Sequence, residues 1–208
     1  VNSTLKITSA MKMVAAAKLH KAQTAIGNML PYEDMLNRML ANLIAFKRNV
    51  EKRKDSDALI PSYDDDASLD SELDVLCSAR PVRRVAIVAY SSNSSLCGGF
   101  NATAVKNALS VVDEYLAAGL DKDDITVYPV GRKMAEAMKK KGFESSADYT
   151  HLSDKPSYDE AASLAAELVH GFMTGRFDKV ELLYNHFRST ASQPFVRETY
   201  LPLAIEPI

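Results

Sequence analysis

From Ser3 to about Arg48, apolar side chains recur at alternating steps of three and four residues, in a stretch made mainly of strong helix formers. This spacing predicts one long helix, about 69 Å in length at 1.5 Å per residue. One extra step of four near Lys18 should relax the left-handed supercoil of a strict heptad. Pro31 removes one backbone hydrogen bond, so we expect a bend there. The positions of this apolar seam are Ile7, Met11, Val14, Lys18, Ala22, Ala25, Met29, Tyr32, Leu36, Met39, Leu43 and Phe46.

A helix of this length cannot bury its seam against a compact domain built from the rest of the chain. The other helical candidates, at about 102–118, 132–141 and 158–174, are too short to line it. We therefore expect either a partner chain or a further segment of the same polypeptide to cover the seam.

The pattern changes after the helix. Residues 49–80 have little periodicity, and residues 55–76 hold eight acidic and no basic residues. This composition is typical of a mobile surface linker. The sequence thus predicts three parts: a stalk helix over 1–50, an acidic flexible linker over 51–80, and a folded domain over 81–208.

Strands and helices alternate in the third part, which predicts an α/β domain with a parallel sheet and helices on its faces. The predicted strands cover 85–90, 125–130 and 180–185, with a weak strand near 146–150. A last extended stretch, 195–201, follows Pro194 and is expected to form an edge strand.

Charge separates along the chain although the net charge is only -2. Residues 1–54 hold ten Lys or Arg and three acidic residues, so the predicted helix is a basic rod. No apolar run reaches the roughly 18 residues of a spanning helix. Two cysteines, Cys77 and Cys97, without a Cys-x-x-Cys pair are typical of reduced thiols in a reducing compartment.

The loop Ser91–Gly99 joins the first strand to its helix, where dinucleotide-binding enzymes hold a pyrophosphate. It contains neither G-x-G-x-x-G nor a Walker lysine pattern, so we interpret it as a structural turn capped by Asn101. The four histidines have no metal-ligand spacing, and no G-x-S-x-G surrounds a serine. We expect no catalytic, cofactor or metal site.

Three separated blocks resemble the gamma subunits of F-type ATP synthases. The first runs from Lys6 through Met11-Lys12-Met13-Val14-Ala15-Ala16-Ala17-Lys18 to Gln23, the second is Leu96-Cys97-Gly98-Gly99-Phe100-Asn101, and the third runs from Phe177 to Gln193 before Leu201-Pro202-Leu203. The family usually has Asp, then Arg or Lys, then Gly where this chain has Asn93, Ser94 and Ser95.

The resemblance implies a Rossmann-like α/β foot domain preceded by a long N-terminal helix, which normally forms half of an antiparallel coiled coil with a C-terminal helix that this sequence lacks. It implies a non-catalytic rotor stalk of the proton-translocating enzyme, without cofactors. The implied partners are the alpha and beta subunits of the catalytic ring, the epsilon subunit and the c-subunit membrane ring. Met11, Lys12, Met13 and Lys18 are the expected contacts with the catalytic ring.

The implied location is the cytoplasmic face of the cell inner membrane, with the membrane reached only through partners. Two other functions stay open from the residues alone. The α/β pattern allows a nucleotide-binding enzyme, and the basic rod allows a coiled-coil adaptor, although it lacks the interleaved aromatic residues or motif expected for binding nucleic acid.

Overall fold

The first helix, α1, spans Asn2–Lys54 without interruption and includes Pro31. The computed structural model describes residues 2–54, 67–145 and 147–203, and the side chains within 2–46, 71–145 and 147–203. The long helix predicted from the apolar spacing is confirmed, and it is longer than expected at both ends. At 1.5 Å per residue its 53 residues extend about 80 Å.

The chain divides into two compact units, one containing α1 and the other containing the remaining elements. The second unit has the strands β1 (Val85–Tyr90), β2 (Ile125–Val130), β3 (Lys179–Asn185) and β4 (Phe195–Leu201). Its helices are α2 (Ala67–Cys77), α3 (Phe100–Ala117), α4 (Arg132–Lys140), α5 (Thr150–Asp154) and α6 (Tyr158–Met173). We call this second unit the α/β unit.

The strand order is β2-β1-β3-β4. β1 pairs in parallel with both β2 and β3, whereas β4 pairs antiparallel with β3 and forms an edge. The prediction of a parallel sheet with a final edge strand is confirmed. β1 lies at the centre, and its residues Val85–Ala89 are fully buried because helices cover both faces of the sheet.

Side chains that alternate along β1 divide the core into two layers. Val85, Ile87 and Ala89 pack with residues of α3 and α4 on one face. Ala86 and Val88 pack on the other face with Tyr128 of β2 and with apolar residues of α6.

The connections differ from the sequence pattern at two places. The range interpreted as a linker contains the last turn of α1 and the whole of α2, which packs on α6; residues 55–66, with the run Asp64–Asp66, lie outside the described residues. The weak strand near 146–150 is not a strand at residues 147–150, because α5 begins at Thr150. Ser146 is not among the described residues.

A close approach between α6 and the chain after it depends on Gly171. Phe177 turns back against α6, and its backbone N–H donates to the Gly171 carbonyl over 3.0 Å. A Cβ at Gly171 would lie 2.5 Å from the Phe177 ring, which is too close for any real contact. The absence of a side chain at this helical position therefore lets the buried ring pack.

A buried carboxylate joins β3, β4 and α3. Glu181 is 1% exposed, and its two carboxylate oxygens contact Lys179 Nζ at 2.6 Å and Arg197 Nε at 3.0 Å. Arg197 Nη1 also contacts Glu114 Oε2 at 2.6 Å, and the guanidinium lies over the Tyr115 ring. Because both carboxylate oxygens are paired, the buried charge is compensated.

Two tyrosine hydroxyls converge on one carboxylate at the α6 face of the sheet. Tyr128 Oη donates to Glu167 Oε1 over 2.8 Å, and Tyr149 Oη donates to Glu167 Oε2 over 3.1 Å. Burial, followed by the hydrogen bond to the Glu167 carboxylate, raises the pKa of Tyr149 to about 12 and also raises the pKa of Tyr128.

We expect this pair to make the α/β unit less stable at alkaline pH. Tyr149 keeps its proton in the folded state above its ordinary pKa of 10.0, so its contribution is complete below pH 10 and is lost as the pH rises towards 12. Urea unfolding between pH 9 and pH 12 should therefore give a shallower decline for Tyr149→Phe than for the parent chain. Tyr158→Phe, at an exposed tyrosine, is the control; equal slopes for Tyr149→Phe and the parent would contradict the assignment.

Candidate partner-binding site

The apolar seam of α1 is exposed along its length. Nine of its positions carry large apolar side chains, and each of these is between 46% and 67% exposed. They are Ile7, Met11, Val14, Met29, Tyr32, Leu36, Met39, Leu43 and Phe46. An apolar stripe of this size is much larger than the isolated apolar residues normal on protein surfaces, and it marks a binding surface.

The four expected contact residues are all exposed, but they do not share one face of the helix. At 3.6 residues per turn, successive side chains differ by about 100°. Met11 and Lys18 therefore lie on the seam, Lys12 lies on its flank, and Met13 lies nearly opposite. A single flat partner cannot touch all four, so a partner that does must surround the helix.

Positive charge also surrounds this part of α1. Residues 2–32 contain four lysines and no acidic residue. These lysines, Lys6, Lys12, Lys18 and Lys21, fall at well-separated angles around the helix axis. The helix therefore presents positive charge in several directions, which favours an acidic surface arranged around it.

The turn after β1 is where a dinucleotide-binding enzyme would hold a pyrophosphate. In this protein it is filled by side chains of the chain itself. Asn93 Oδ1 accepts from the Arg132 N–H over 2.7 Å, and Ser91 Oγ accepts from the Met134 N–H over 2.8 Å. These two amides are in the first turn of α4, where a doubly wound domain would place a phosphate. Gly131, with φ at 107°, brings the two segments so close that a Cβ there would overlap the Ser91 carbonyl.

Asn101 organises this turn, but it is not the helix cap that the sequence suggested. Gly99 occupies the cap position, and Asn101 lies in the first turn of α3. Its side-chain oxygen accepts from the Ser92 N–H over 3.0 Å, and its amide group donates to the Ser94 carbonyl over 2.7 Å and to Cys97 Sγ over 3.0 Å. Asn101, a residue of α3, thus holds the preceding loop in place by hydrogen bonds from its side chain.

Leu96 is an exposed apolar side chain that the sequence pattern did not predict as a contact. This side chain is 87% exposed in the loop that Asn101 holds. Apolar periodicity could not identify it, because it lies outside any regular element. The only signal in the sequence was a short turn rich in Ser and Gly.

Other kinds of site find little support in the described ranges. Groups of three or more His, Cys, Asp or Glu arranged to hold a metal ion do not occur there. Within the same ranges, no helix combines the length and apolar character needed to span a bilayer.

Comparison with known proteins gives consistent matches. The ATP synthase family model matches residues 1–207. The chain is 51% identical over 203 residues to the ATP synthase gamma chain of Phocaeicola vulgatus, covering 98% of this chain and 62% of that protein. It is 49% identical over 208 residues to the gamma chain of Bacteroides fragilis, covering all of this chain and 63% of that protein.

A solved structure also resembles the chain, more remotely. The rotor of the Euglena gracilis mitochondrial ATP synthase aligns with a TM-score of 0.45 and 17% identity, covering 82% of this chain and 58% of that one. The chain thus spans less than two thirds of the length of the curated relatives described above.

Proposed function

The chain belongs to the ATP synthase gamma chain family, and from this premise we propose that it forms the central rotor stalk of a proton-translocating F-type ATP synthase. In this function it couples proton flow through the membrane ring to ATP synthesis in the alpha/beta ring by rotation. It contributes no active site of its own and needs no cofactor.

The observation that carries this proposal is the exposed seam of a 53-residue helix. A helix with this much uncovered apolar surface serves as a component of a larger assembly. We propose that a C-terminal helix of the type found in the family packs antiparallel along the seam. The heptad spacing of the seam suits this packing, and the extra step near Lys18 reduces the supercoil locally.

The proposed mechanism is mechanical. A shaft that presents different side chains in different directions contacts each subunit of a surrounding ring differently. Only such differential contact can shift the conformational equilibrium, and with it the nucleotide affinity, of each ring subunit. Close packing along the two-helix core resists shear, so rotation at one end reaches the other.

Met11, Lys12, Met13 and Lys18 are proposed to contact the alpha and beta subunits. Their positions on different sides of α1 fit a partner that encloses the helix. Methionine side chains adapt to changing surroundings, which suits a contact that must be remade at each step. The lysines would meet acidic loops of the beta subunits.

We propose that the α/β unit forms the foot, with the epsilon subunit and the c-subunit membrane ring as its partners. In this position the chain is a peripheral protein on the cytoplasmic face of the cell inner membrane, attached only through partners. It binds no nucleic acid.

Charge reversal on α1 tests the proposal. We expect Lys12→Glu with Lys18→Glu to lower the ratio of ATP-driven proton pumping to ATP hydrolysis in a reconstituted enzyme. The two introduced carboxylates would be repelled by the acidic loops of the beta subunits. The matched control is Lys12→Arg with Lys18→Arg, which keeps both charges and should keep the ratio. An assembled enzyme with the charge-reversed pair and an unchanged ratio would be evidence against these contacts.

The filled turn after β1 disfavours the nucleotide-binding alternative. Two N–H groups in the first turn of α4 already donate to side chains of this turn and are not free to bind a phosphate. Calorimetric titration of the chain with ATP, ADP and NAD should give no heat of binding. A nucleic-acid adaptor would instead show association that weakens steeply with salt. We do not expect such salt-dependent association.

A further inference from the structure

The segment that leads into β1 is held to the rest of the α/β unit at two separate places. The outer place involves Leu76 at the end of α2 and Arg80 just after it. The inner place is immediately before β1, where the Arg83 and Arg84 N–H groups both donate to Asp178 Oδ2, over 3.0 and 2.9 Å. The inner fastening belongs to the sheet itself, since the Asp178 N–H donates back to the Arg84 carbonyl over 2.8 Å.

The outer fastening includes contacts of Leu76 and Arg80. Leu76 is partly buried against the core cluster on the α6 face, and its carbonyl accepts from the Leu203 N–H over 2.8 Å. Arg80 Nη2 donates to the Phe172 carbonyl over 2.7 Å, and the guanidinium lies 4.1 Å above the centre of the Phe172 ring. The cation thus sits near the C-terminal end of α6, where the helix dipole favours it.

One feature makes this outer fastening weaker than its geometry suggests. Arg80 Nε is buried and has no hydrogen-bond acceptor among the described residues. A buried donor that loses water without gaining an acceptor opposes the closed arrangement. The hydrogen bond and the ring contact are therefore partly offset in the same side chain.

We propose that the contacts of Leu76 and Arg80 form a releasable clasp. When these contacts break, residues 71–80 move away from α6, while β1 and its hydrogen bonds to Asp178 stay in place. Opening lengthens the chain that precedes β1 without unfolding the sheet. The two fastenings differ in burial, since Asp178 is buried, whereas Leu76 and Arg80 are only partly buried. A difference of this kind separates a region that opens locally from one that opens only with the whole unit.

Native-state hydrogen exchange of the whole chain tests the clasp. In the parent chain, the amides of residues 73–77 should exchange at least about tenfold faster than those of β1, and with little dependence on urea at low concentrations, because local opening exposes little surface. Arg80→Met should accelerate exchange in residues 73–77 by about tenfold, the effect of losing one charged hydrogen bond and one cation–π contact. Arg188→Met, at an exposed arginine in the β3–β4 connection, should change neither segment.

Two further variants keep the test decisive. Arg80→Lys keeps the charge but loses the flat stacking surface, so it should accelerate exchange less than Arg80→Met does. Leu76→Ala should accelerate exchange in the same segment if Arg80→Met does not fold. The proposal is overturned if residues 73–77 and β1 exchange at one rate with the same urea dependence in the parent chain, because the segment then opens only with the whole unit.

Discussion

Replacing Arg197 with Met is expected to lower the free energy of unfolding of the α/β unit by about 2–4 kcal/mol. The change removes one of the two cations that compensate the buried Glu181 carboxylate, and it also removes the partner of Glu114. Lys179 remains at 2.6 Å, so the carboxylate keeps one cation but loses the pairing of its second oxygen. Urea unfolding followed by circular dichroism measures the loss.

A double-mutant cycle separates this loss from a simple packing effect. Glu181→Leu removes the buried charge, so Arg197→Met should cost much less in that background than in the parent chain. Equal costs in the two backgrounds would mean that the arginine acts through its contacts with Tyr115 and Glu114 and not by compensating the Glu181 charge.

Replacing Gly171 with Ala is expected to cost about 2–3 kcal/mol, through overpacking of the core. Alanine is favoured over glycine in a helix by about 1 kcal/mol, so helix propensity alone predicts the opposite sign. The cost arises because the new Cβ must displace the buried Phe177 ring, which packs between α6 and the sheet. Thermal and urea unfolding of the α/β unit should both detect it.

Gly27 supplies the matched control for this change. It is also a helical glycine, but a Cβ there would meet nothing within 4 Å. Gly27→Ala should therefore leave the α/β unit unchanged and raise the helicity of α1 slightly. A second variant, Gly171→Ala with Phe177→Leu, should recover part of the loss; no recovery would argue against the proposed clash.

The central strands could be predicted from the sequence because they are continuous apolar runs. β1 and β2 begin and end at the residues that the pattern indicated. The failures occur where tertiary contacts decide the structure. α2 has three acidic residues among its eleven and follows an acidic run, so its sequence resembled a linker, whereas its Leu76 packs on the core cluster of the α6 face and accepts a hydrogen bond from Leu203. Near residue 149, a tyrosine followed by a threonine resembled a strand, but Tyr149 instead reaches Glu167.

The polar networks could not be predicted for a related reason. Glu181 lies in a strand whose other residues are mostly apolar, and nothing in its local sequence indicates burial beside Arg197. Their contact depends on the register between β3 and β4, in which Arg197 is opposite Leu183. Asn101 likewise resembles a helix cap in the sequence, and its actual role depends on how the loop folds back over α3.

The candidate site was predictable in part. The length and spacing of α1 predicted that its seam would need a cover, and the seam is exposed in the structure. The assignment of Met11, Lys12, Met13 and Lys18 as contacts stays a prediction. The helix fixes their angles, but the surface that meets each of them belongs to another molecule.

The strand order also sets a condition on synthesis of the chain. β1 is made early, but its partner β3 follows much later: Arg84, just before β1, and Asp178, just before β3, are 94 residues apart. At roughly 5–20 residues per second, one side of this apolar strand stays without its final neighbour for about 5–20 s on the ribosome. The nascent chain should therefore depend on chaperones that shield exposed strand edges during this interval.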